Sequence, residues 1–353
     1  MKLKRRRQPE PFSFQGRMRF ADYRTYLEQA VHHPVVHIEL TSKCNFHCYY
    51  CISPDSPRVK GFMEPAVFEH ILPQLDGFTK VPVRLHIDGE PTLHPQFHRF
   101  ARALNDAGHR VALATNGSAL RPEYLDLGMN LRIYVSTDAD ALQRRSTMKF
   151  VTYVEKLADY VRAWRDSPSE QQISLFFYFD LSELQAGDDP LFQNAFVVDF
   201  LRRAGFDAET ADGATLPFDF KKPNGFKLRL RHQPIVRGGV YSDEGTADLR
   251  PSDQGFCDSA WKTLAITAEG RLTYCCMDLT AATAYTEPDD LLQQPLRDLW
   301  LKHPTIQRVR EETLRAHIAN PTCQDCLAGQ DYCQNREMYV EWGPEFTPGA
   351  TPQ

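Results

Sequence analysis

The alternation of apolar and polar positions predicts strands and helices that follow one another along the first two-thirds of the chain. Short apolar runs bounded by turn residues are typical of buried strands. They lie at residues 35–40, 83–87, 110–116, 131–137 and 172–179. The segments between them carry apolar residues at helical spacing, and two of these segments close with a glycine. Repeated strand–helix units predict a parallel sheet, open or curled into a barrel, that collects ligands at the carboxyl ends of its strands.

The regular alternation of predicted strands and helices stops after about residue 212. Two stretches that follow, residues 212–226 and 237–255, are rich in Gly, Pro, Asp and Ser, which is typical of connecting loops. A second module begins near Cys257. The sequence therefore predicts one large strand–helix domain and a smaller one behind it.

Composition and charge exclude several classes of protein. With 42% hydrophobic and 25% charged residues among 353, the chain has an ordinary globular composition. Its formal charge of -5 gives no overall attraction to nucleic acid or to an anionic membrane, and the basic run at residues 1–7 is interpreted as a solvated tail. No apolar stretch follows that run, so we expect neither a signal peptide nor a membrane span, and a cytoplasmic location.

The nine cysteines are grouped, which in a reducing compartment indicates metal ligands or catalytic thiols. Cys44, Cys48 and Cys51 stand in the stretch KCNFHCYYC, directly after the first predicted strand. Three thiolates can hold three corners of a cubane iron–sulfur cluster and leave the fourth iron open, as a reactive centre requires. The alternative is a structural zinc site, for which His47 is the local fourth ligand.

The Cys-x3-Cys-x2-Cys spacing resembles the signature of the radical S-adenosylmethionine (SAM) superfamily. The resemblance implies that Cys44, Cys48 and Cys51 carry a 4Fe-4S cluster whose open iron binds the amino and carboxylate groups of SAM. Tyr50 matches the aromatic residue that the family places beside the adenine.

Three further segments resemble family motifs that contact SAM. The stretch HIDGEP matches the Gly-Gly-Glu motif, with Asp in place of the commoner first Gly; ATNGS matches the third-strand motif; and VSTDADALQRR matches a Ser-x-Asp segment followed by an Arg that would bind the SAM carboxylate. The cofactor-binding residues that the resemblance implies are Asp88, Gly89, Glu90, Pro91, Asn116, Ser136, Asp138 and Arg145, with Arg144 an adjacent contender for the carboxylate.

The remaining cysteines resemble the SPASM/twitch extension that holds auxiliary iron–sulfur clusters. Its signature, a Gly followed after four residues by Cys, is present as Gly270 and Cys275. The full SPASM pattern has seven cysteines, and the shorter twitch version with one 4Fe-4S cluster fits this chain better. The implied ligands are Cys257, Cys275, Cys323 and Cys326, and Cys276 and Cys333 are spare. A four-cysteine zinc knob is the alternative, because CxxC pairs also serve zinc.

From these patterns we predict an α/β fold, a partial (β/α)6 TIM-like barrel with a small C-terminal twitch/SPASM-like iron–sulfur domain. The predicted organisation is an N-terminal extension at 1–33, the radical SAM barrel at 34–212, a connecting segment at 213–254, the auxiliary-cluster domain at 255–337 and a tail at 338–353.

The resemblance implies an enzyme that reductively cleaves SAM and uses the resulting radical to abstract hydrogen from a substrate C–H bond. We expect oxidation or epimerisation of a small polar metabolite, with flavodoxin or ferredoxin as external electron donor and no nucleic-acid or membrane partner. The alternatives are a peptide or protein maturase that introduces an epimerisation or a cross-link, an iron–sulfur electron-transfer or sensing protein, and a zinc-stabilised binding module.

Three residues are candidates for substrate chemistry. Asp180 follows the fifth predicted strand, where barrel active sites gather, although it fits a helix N-cap equally well. The spare thiols of Cys276 and Cys333 could return a hydrogen atom to a substrate radical, which would make the reaction a redox-neutral epimerisation; the plainer interpretations are a substitute ligand or no chemistry. Asp278 is interpreted as a residue that orders the second cysteine loop.

Overall fold

One nine-stranded sheet organises most of the computed structural model. The structure describes residues 18–48, 51, 53–136, 148–179, 195–206, 218–234, 257–315, 318–324 and 340–341. The strands lie in the order β10-β9-β2-β3-β4-β5-β6-β8-β7. Their bounds are β2 (Val35–Ile38), β3 (Val83–Arg84), β4 (Val111–Thr115), β5 (Met129–Ser136), β6 (Gln172–Phe179), β7 (Phe218–Lys221), β8 (Lys227–Pro234), β9 (Thr263–Ile266) and β10 (Leu272–Thr273).

The six strands β2 to β6 and β8 all run parallel, and the antiparallel strands β7 and β10 form the two edges of the described sheet. The predicted α/β class, a partial barrel followed by a small C-terminal module, is confirmed. Two residues at either end of the described chain, β1 (Met18–Arg19) and β11 (Val340–Glu341), pair as a separate parallel ribbon.

Helices connect the strands and cover one face of the sheet. Their bounds are α1 (Phe20–Ala30), α2 (Pro65–Ile71), α3 (Phe97–Asp106), α4 (Phe150–Asp166), α5 (Ala195–Arg203), α6 (Ser259–Lys262), α7 (Asp290–Gln293), α8 (Leu296–Lys302) and α9 (Pro304–Leu314). Helices α3 and α5 are followed by Gly108 and Gly205 at φ +84° and +77°, the left-handed conformation that ends a helix. None of the helices in the described part of the chain is long and apolar enough to cross a bilayer.

Side chains on the helix-covered face of the strands are apolar and buried. On β5, for example, Leu131, Ile133 and Val135 are at most 1% exposed and belong to the same core cluster as Leu104 of α3 and Leu157 of α4. The described alternate residues of β3 to β6 are half-buried or exposed, whereas His37 of β2 is buried. Because strand side chains alternate between faces, the opposite face of the sheet is open to ligands.

The second module is part of the same sheet. Strand β9 pairs in parallel with β2 through four residues, from Val35 opposite Thr263 to Ile38 opposite Ile266. A tight turn with Gly270 at φ +86° then leads into β10, which is followed by the second cysteine loop. The backbone pairing of β9 therefore fixes the auxiliary module against the first strand of the barrel.

The segment at 213–254, which the sequence marks as a connection, contributes the sixth parallel strand of the barrel. Strand β8 pairs with β6 over seven residues, and β7 folds back on it as a hairpin. The sequence KLRLRHQP alternates basic and apolar residues, which is a strand pattern. The Gly- and Pro-rich stretches on either side hide this strand pattern in the sequence.

Lys222, in the turn of that hairpin, anchors it to the end of α4. Its Nζ donates hydrogen bonds to the carbonyl oxygens of Trp164 (2.9 Å), Ser167 (2.6 Å) and Ser169 (3.1 Å) and lies 4.8 Å from the centre of the Trp164 ring. The residue is only 4% exposed. A cation that satisfies the free carbonyls of a helix C-terminus stabilises both the helix end and the hairpin.

We therefore expect Lys222→Met to lower the free energy of unfolding by about 2–3 kcal/mol, because three carbonyls lose a charged donor in a buried position. The measurement is urea denaturation followed by circular dichroism. Lys221→Met is the matched control: its side chain is exposed, and the change should be within about 0.5 kcal/mol of wild type. Equal effects of the two substitutions would contradict the anchoring role.

Candidate functional site

The first cysteine loop leaves the carboxyl end of β2 and is held by its own backbone. The amide of Phe46 donates to Cys44 Sγ and that of Ser53 to Cys51 Sγ, each at 3.4 Å, and the Cys51 amide donates to the Cys48 carbonyl at 2.8 Å. All three thiols are half-buried. Backbone amides aimed at sulfur favour the thiolate form that a metal ligand needs.

Because these thiols are partly buried, their ionisation is unfavourable unless a cation lies nearby. Burial raises the pKa of Cys44 to about 12 and that of Cys51 to about 11, and the neighbouring Cys48 adds to both shifts. The three thiols therefore influence one another across the same loop. The donor set therefore fits a cationic metal centre, which would supply the missing positive charge.

The three sulfurs are not arranged as ligands of a single ion in this structure, and a cubane does not require that arrangement. Within the described residues no three His, Cys, Asp or Glu side chains come together as ligands of one ion, for which tetrahedral sulfurs would stand about 3.8 Å apart. A cubane has no such requirement, because each cysteine binds a different iron. His47, the local candidate for a fourth zinc ligand, is exposed.

Gly89 allows the Gly-Glu-Pro stretch after β3 to lie directly on the cysteine loop. The residue has φ +71°, and a Cβ built on it would stand 2.4 Å from the Thr41 carbonyl oxygen and 2.7 Å from that of Lys43. The amide of Glu90 donates to the same Lys43 carbonyl at 2.8 Å. Only glycine satisfies both the conformation and the contact.

Glu90 is a buried connector between two motifs. At 1% exposure, its Oε1 accepts from Thr92 and from Thr115 Oγ1 (2.7 Å), and its Oε2 accepts from the Asn116 amide (2.7 Å). Burial raises its pKa, and these hydrogen bonds act in the opposite sense. The carboxyl group thus joins the end of β3 to the end of β4.

Asn116 continues this connection to the cysteine loop. Its Nδ2 donates to Asn45 Oδ1 (3.1 Å) and to Cys44 Sγ (3.9 Å), and Asn45 Nδ2 donates to Ser118 Oγ (2.9 Å). The turn depends on Gly117, at φ +76°, where a Cβ would meet Ile133 Cγ2 at 2.8 Å. The sequence-predicted residues at 88–91 and 116 therefore surround the cysteine loop.

Asp88 stands where the family motif has its first glycine, and its side-chain contacts explain the presence of an aspartate there. It is 3% exposed; its Oδ2 pairs with Lys60 Nζ at 2.6 Å and its Oδ1 accepts from the Gly89 amide at 2.7 Å. The side chain therefore fixes the turn that precedes Gly89. Pro91 is buried and begins the short helical turn that follows.

Two residues of the site were missed by the sequence analysis. Glu39 is fully buried at the end of β2 and pairs with Arg58 from the far side of the cysteine loop, at 3.0 Å and 2.5 Å. Arg58 also pairs with Glu269 of the second module at 2.7 Å. Burial lowers the pKa of Arg58, but the two carboxylates outweigh this effect and raise it. A glutamate inside the apolar run VVHIEL is a signal for Glu39; nothing local indicates Arg58.

The described cysteines of the second module lie together next to the barrel. Burial raises the pKa values of Cys275 and Cys276, and Cys257 adds to both shifts. Cys323 Sγ lies 3.6 Å from the hydroxyl oxygen of Tyr274. The spare thiol of Cys276 and the predicted ligands Cys257 and Cys275 thus lie near enough to influence one another's pKa.

Asp278 has the structural role that the sequence predicts for it. It is buried and accepts four hydrogen bonds, from the amide and hydroxyl groups of Thr280 (3.0 and 2.7 Å) and of Thr283 (2.6 and 2.8 Å). These bonds order the loop that follows Cys275 and Cys276.

Several predicted site residues lie outside the described part of the chain: Tyr50, Asp138, Arg144, Arg145, Asp180, Cys326 and Cys333. Ser136 is the last residue of β5, at the carboxyl edge of the sheet where the other motifs gather. The roles of these residues stay predictions.

Two family models match the chain. Residues 38–171 match the model described as the radical SAM superfamily, and residues 257–327 match SPASM, described as an iron-sulfur cluster-binding domain. The matched ranges contain the first cysteine loop and most of the second set. One range lies in each of the two modules that the sheet joins.

Two curated relatives share part of the sequence. The tungsten-containing aldehyde ferredoxin oxidoreductase cofactor-modifying protein of Pyrococcus furiosus is 32% identical over 108 residues, 29% of this chain and 30% of the relative. The AdoMet-dependent heme synthase of Methanosarcina barkeri is 35% identical over 89 residues, 25% of each chain. The match thus spans less than a third of the length of either relative.

Solved structures share the fold. Streptococcus suis SuiB bound to precursor peptide SuiA superposes with a TM-score of 0.51 at 14% identity, over 81% of this chain and 69% of that chain. The enzyme anSMEcpe with bound AdoMet and Cp18Cys peptide gives a TM-score of 0.50 at 11% identity, over 87% and 90%. At this level of identity the likeness establishes the architecture alone.

We expect Gly89→Ala to disrupt the first cysteine loop, because its methyl group would collide with two backbone carbonyls. The measurement is iron per chain after anaerobic reconstitution, which should fall to the value of a variant that lacks Cys44, Cys48 and Cys51. Gly61→Ala is the matched control, since Gly61 hydrogen-bonds to the same segment but its Cβ would meet nothing within 4 Å. Full iron content in Gly89→Ala would show that the close approach is unnecessary.

Proposed function

Since the chain belongs to the radical SAM superfamily and carries an SPASM-type iron–sulfur domain, we propose that it is an enzyme that cleaves SAM reductively to oxidise or epimerise a small polar substrate. The observation that carries this proposal is the contact of the Gly89 stretch and Asn116 with the loop of Cys44, Cys48 and Cys51. It is the arrangement that a cluster with one open iron and a bound SAM would need.

The family implies two kinds of cofactor, a SAM-binding 4Fe-4S cluster with SAM and an auxiliary iron–sulfur cluster. When bound, they supply an electron and a 5′-deoxyadenosyl radical that is reactive enough to abstract a hydrogen atom from an unreactive C–H bond. Cys44, Cys48 and Cys51 would hold the first cluster. Cys257, Cys275, Cys323 and Cys326 would hold one auxiliary cluster.

The protein's own contribution is to position and shield these groups. Glu90 and Asn116 fix the ends of β3 and β4 beside the cysteine loop. Backbone groups of residues 88–91 would then contact the SAM that the family implies. Ser136 would bind the ribose of SAM, Arg145 its carboxylate and Tyr50 its adenine. Asp138 belongs to the same Ser-x-Asp segment as Ser136 and would also contact SAM. Asp180 is the candidate acid or base for the substrate.

The relatives favour a small molecule over a peptide as substrate. Both curated relatives are named for chemistry on cofactors, one for modifying a tungsten-enzyme cofactor and one for making heme. The alternative, a peptide maturase, has the support that SuiB was solved with a precursor peptide. An external low-potential donor such as flavodoxin or ferredoxin would supply the electron.

The first test is SAM cleavage. Reconstituted wild-type protein, reduced with dithionite, should release 5′-deoxyadenosine and contain about eight irons per chain. Cys48→Ala should abolish the release, because an incomplete ligand set cannot present an open iron, and loss of all three loop cysteines should leave about four irons. His47→Ala, one residue away and exposed, is the control and should retain both properties.

Two results would overturn the proposal. Undiminished 5′-deoxyadenosine release by Cys48→Ala would remove the radical mechanism. Stoichiometric zinc bound by the second cysteine set would replace the auxiliary cluster with a structural site. Metal analysis of the triple variant distinguishes this second outcome from the first.

Cys276 is the candidate hydrogen donor in an epimerisation. Its S–H bond would break as the substrate C–H bond forms, and the sulfur would regain an electron from the auxiliary cluster and a proton from solvent. For a substrate that stimulates 5′-deoxyadenosine release, turnover in heavy water should then place one deuterium in the product. Cys276→Ala should lose this deuterium at unchanged iron content, whereas a ligand role would lower the iron.

The opposite result has an equally definite meaning. A product without solvent deuterium, formed at full rate by Cys276→Ala and by Cys333→Ala, would assign the enzyme to net oxidation. In that case the auxiliary cluster is the acceptor of the substrate electron.

A further inference from the structure

The open face of the sheet is basic in its middle. The strand register places His37 of β2 beside Arg84 of β3, and Ala114 of β4 beside Arg132 of β5. His86 follows β3, and its Nδ1 accepts from the Ala114 amide of β4 at 3.1 Å. His37, Arg84 and His86 are neighbours: the two imidazoles are 5.4 Å apart, and Arg84 Nη1 lies 3.4 Å from His37 Nε2. The charge of Arg132 acts on Arg84 and on His86.

Neither arginine of this group pairs with a carboxylate among the described residues. Arg84 is half-buried and Arg132 is exposed to the open side of the sheet. Burial lowers the pKa of Arg84, and the charge of Arg132 lowers it further, while Cys276 and Tyr134 act in the opposite direction. The two carboxylates nearest along the strands are already engaged, Glu39 by Arg58 and Asp88 by Lys60.

The histidines do not compensate the two charges. Burial lowers the pKa of His86 to about 3 and lowers that of His37 as well, and the neighbouring arginine charges add to both shifts. Both imidazoles are therefore neutral near pH 7. The middle of the face carries two guanidinium charges and neutral hydrogen-bonding rings, which is the composition of an anion site.

Strand β4 provides the space for a ligand. Between Arg84 and Arg132, its residues on the open face are Ala112 and Ala114, which contribute only methyl groups. We call the space above these two alanines the recess: Arg84 stands beside Ala112 and Arg132 beside Ala114, and the His86 ring borders it, because its Nδ1 accepts from the Ala114 amide at 3.1 Å. Ala114 lies about 7 Å before Asn116, whose side chain contacts the cysteine loop.

We propose that this recess binds an anionic group of the substrate, a carboxylate or a phosphate, between Arg84 and Arg132. The inference rests on the proposed function, because it assigns a substrate class to the same barrel. An anion held at this depth directs the rest of a small molecule towards the cysteine loop. Cys276 is close enough to Arg84 to influence its pKa.

The test measures anion binding by the reconstituted full chain. Isothermal titration with succinate and, separately, with inorganic phosphate is carried out at constant ionic strength and saturating SAM, so that the SAM carboxylate site is filled. We expect binding of at least one anion by wild type, a Kd at least tenfold higher in Arg132→Gln, and a rise of about two- to threefold in Arg132→Lys, which keeps the charge but loses the fork.

Arg121→Gln is the matched control, because this exposed arginine follows β4 on the loop outside the recess and should leave the Kd unchanged. Binding of succinate alone identifies a carboxylate substrate, and binding of phosphate alone a phosphorylated one. No binding by wild type, or equal binding by Arg132→Gln, would overturn the inference.

The same wild-type protein separates this inference from the proposed function. Release of 5′-deoxyadenosine without Arg132-dependent anion binding leaves the function intact and removes the anion site. Anion binding through Arg132 without release of 5′-deoxyadenosine supports the anion site and removes the proposed function.

Discussion

The buried carboxylate of Glu39 is the point on which the site's geometry depends. It directly follows β2 and accepts hydrogen bonds from Arg58, from the Asp88 amide at 3.1 Å and from the Ala268 amide at 2.7 Å. One side chain thus joins the cysteine loop, the Gly-Glu-Pro stretch and the hairpin of the second module. A carboxylate with no exposed surface is stable only when every oxygen is satisfied, so the three segments must assemble together.

This constraint brings the second module against the first cysteine loop. Because β9 runs parallel to β2, the turn between β9 and β10 lies at the same edge of the sheet as the loop after β2, and its Ala268 amide reaches Glu39. Arg58 reinforces the arrangement by pairing with Glu269, and its Nη1 lies 3.4 Å from the Leu279 carbonyl oxygen.

The sequence predicted those features whose signal is local. The strands β2 to β6, the glycine ends of α3 and α5 and the ordering role of Asp278 all follow from short patterns. It did not reveal β8 within the loop-like segment, nor the partnership of Glu39 with Arg58, 19 residues apart, and Glu269. Such pairs depend on strand order and on packing of distant segments, which a single sequence does not encode in any local period.

The composition of β5 shows that the interior of the barrel is accessible to solvent and is not a packed apolar core. Interior strands of a parallel barrel are usually continuous runs of Val, Ile and Leu, because both faces are buried. Here β5 alternates Leu131, Ile133 and Val135 with Asn130, Arg132 and Tyr134, and only the first set is buried. A guanidinium group in a sealed interior would require a buried partner, and the described residues supply none to Arg132. The alternation therefore marks a face that water and a polar ligand can reach, and the charge on that face selects which ligand it is.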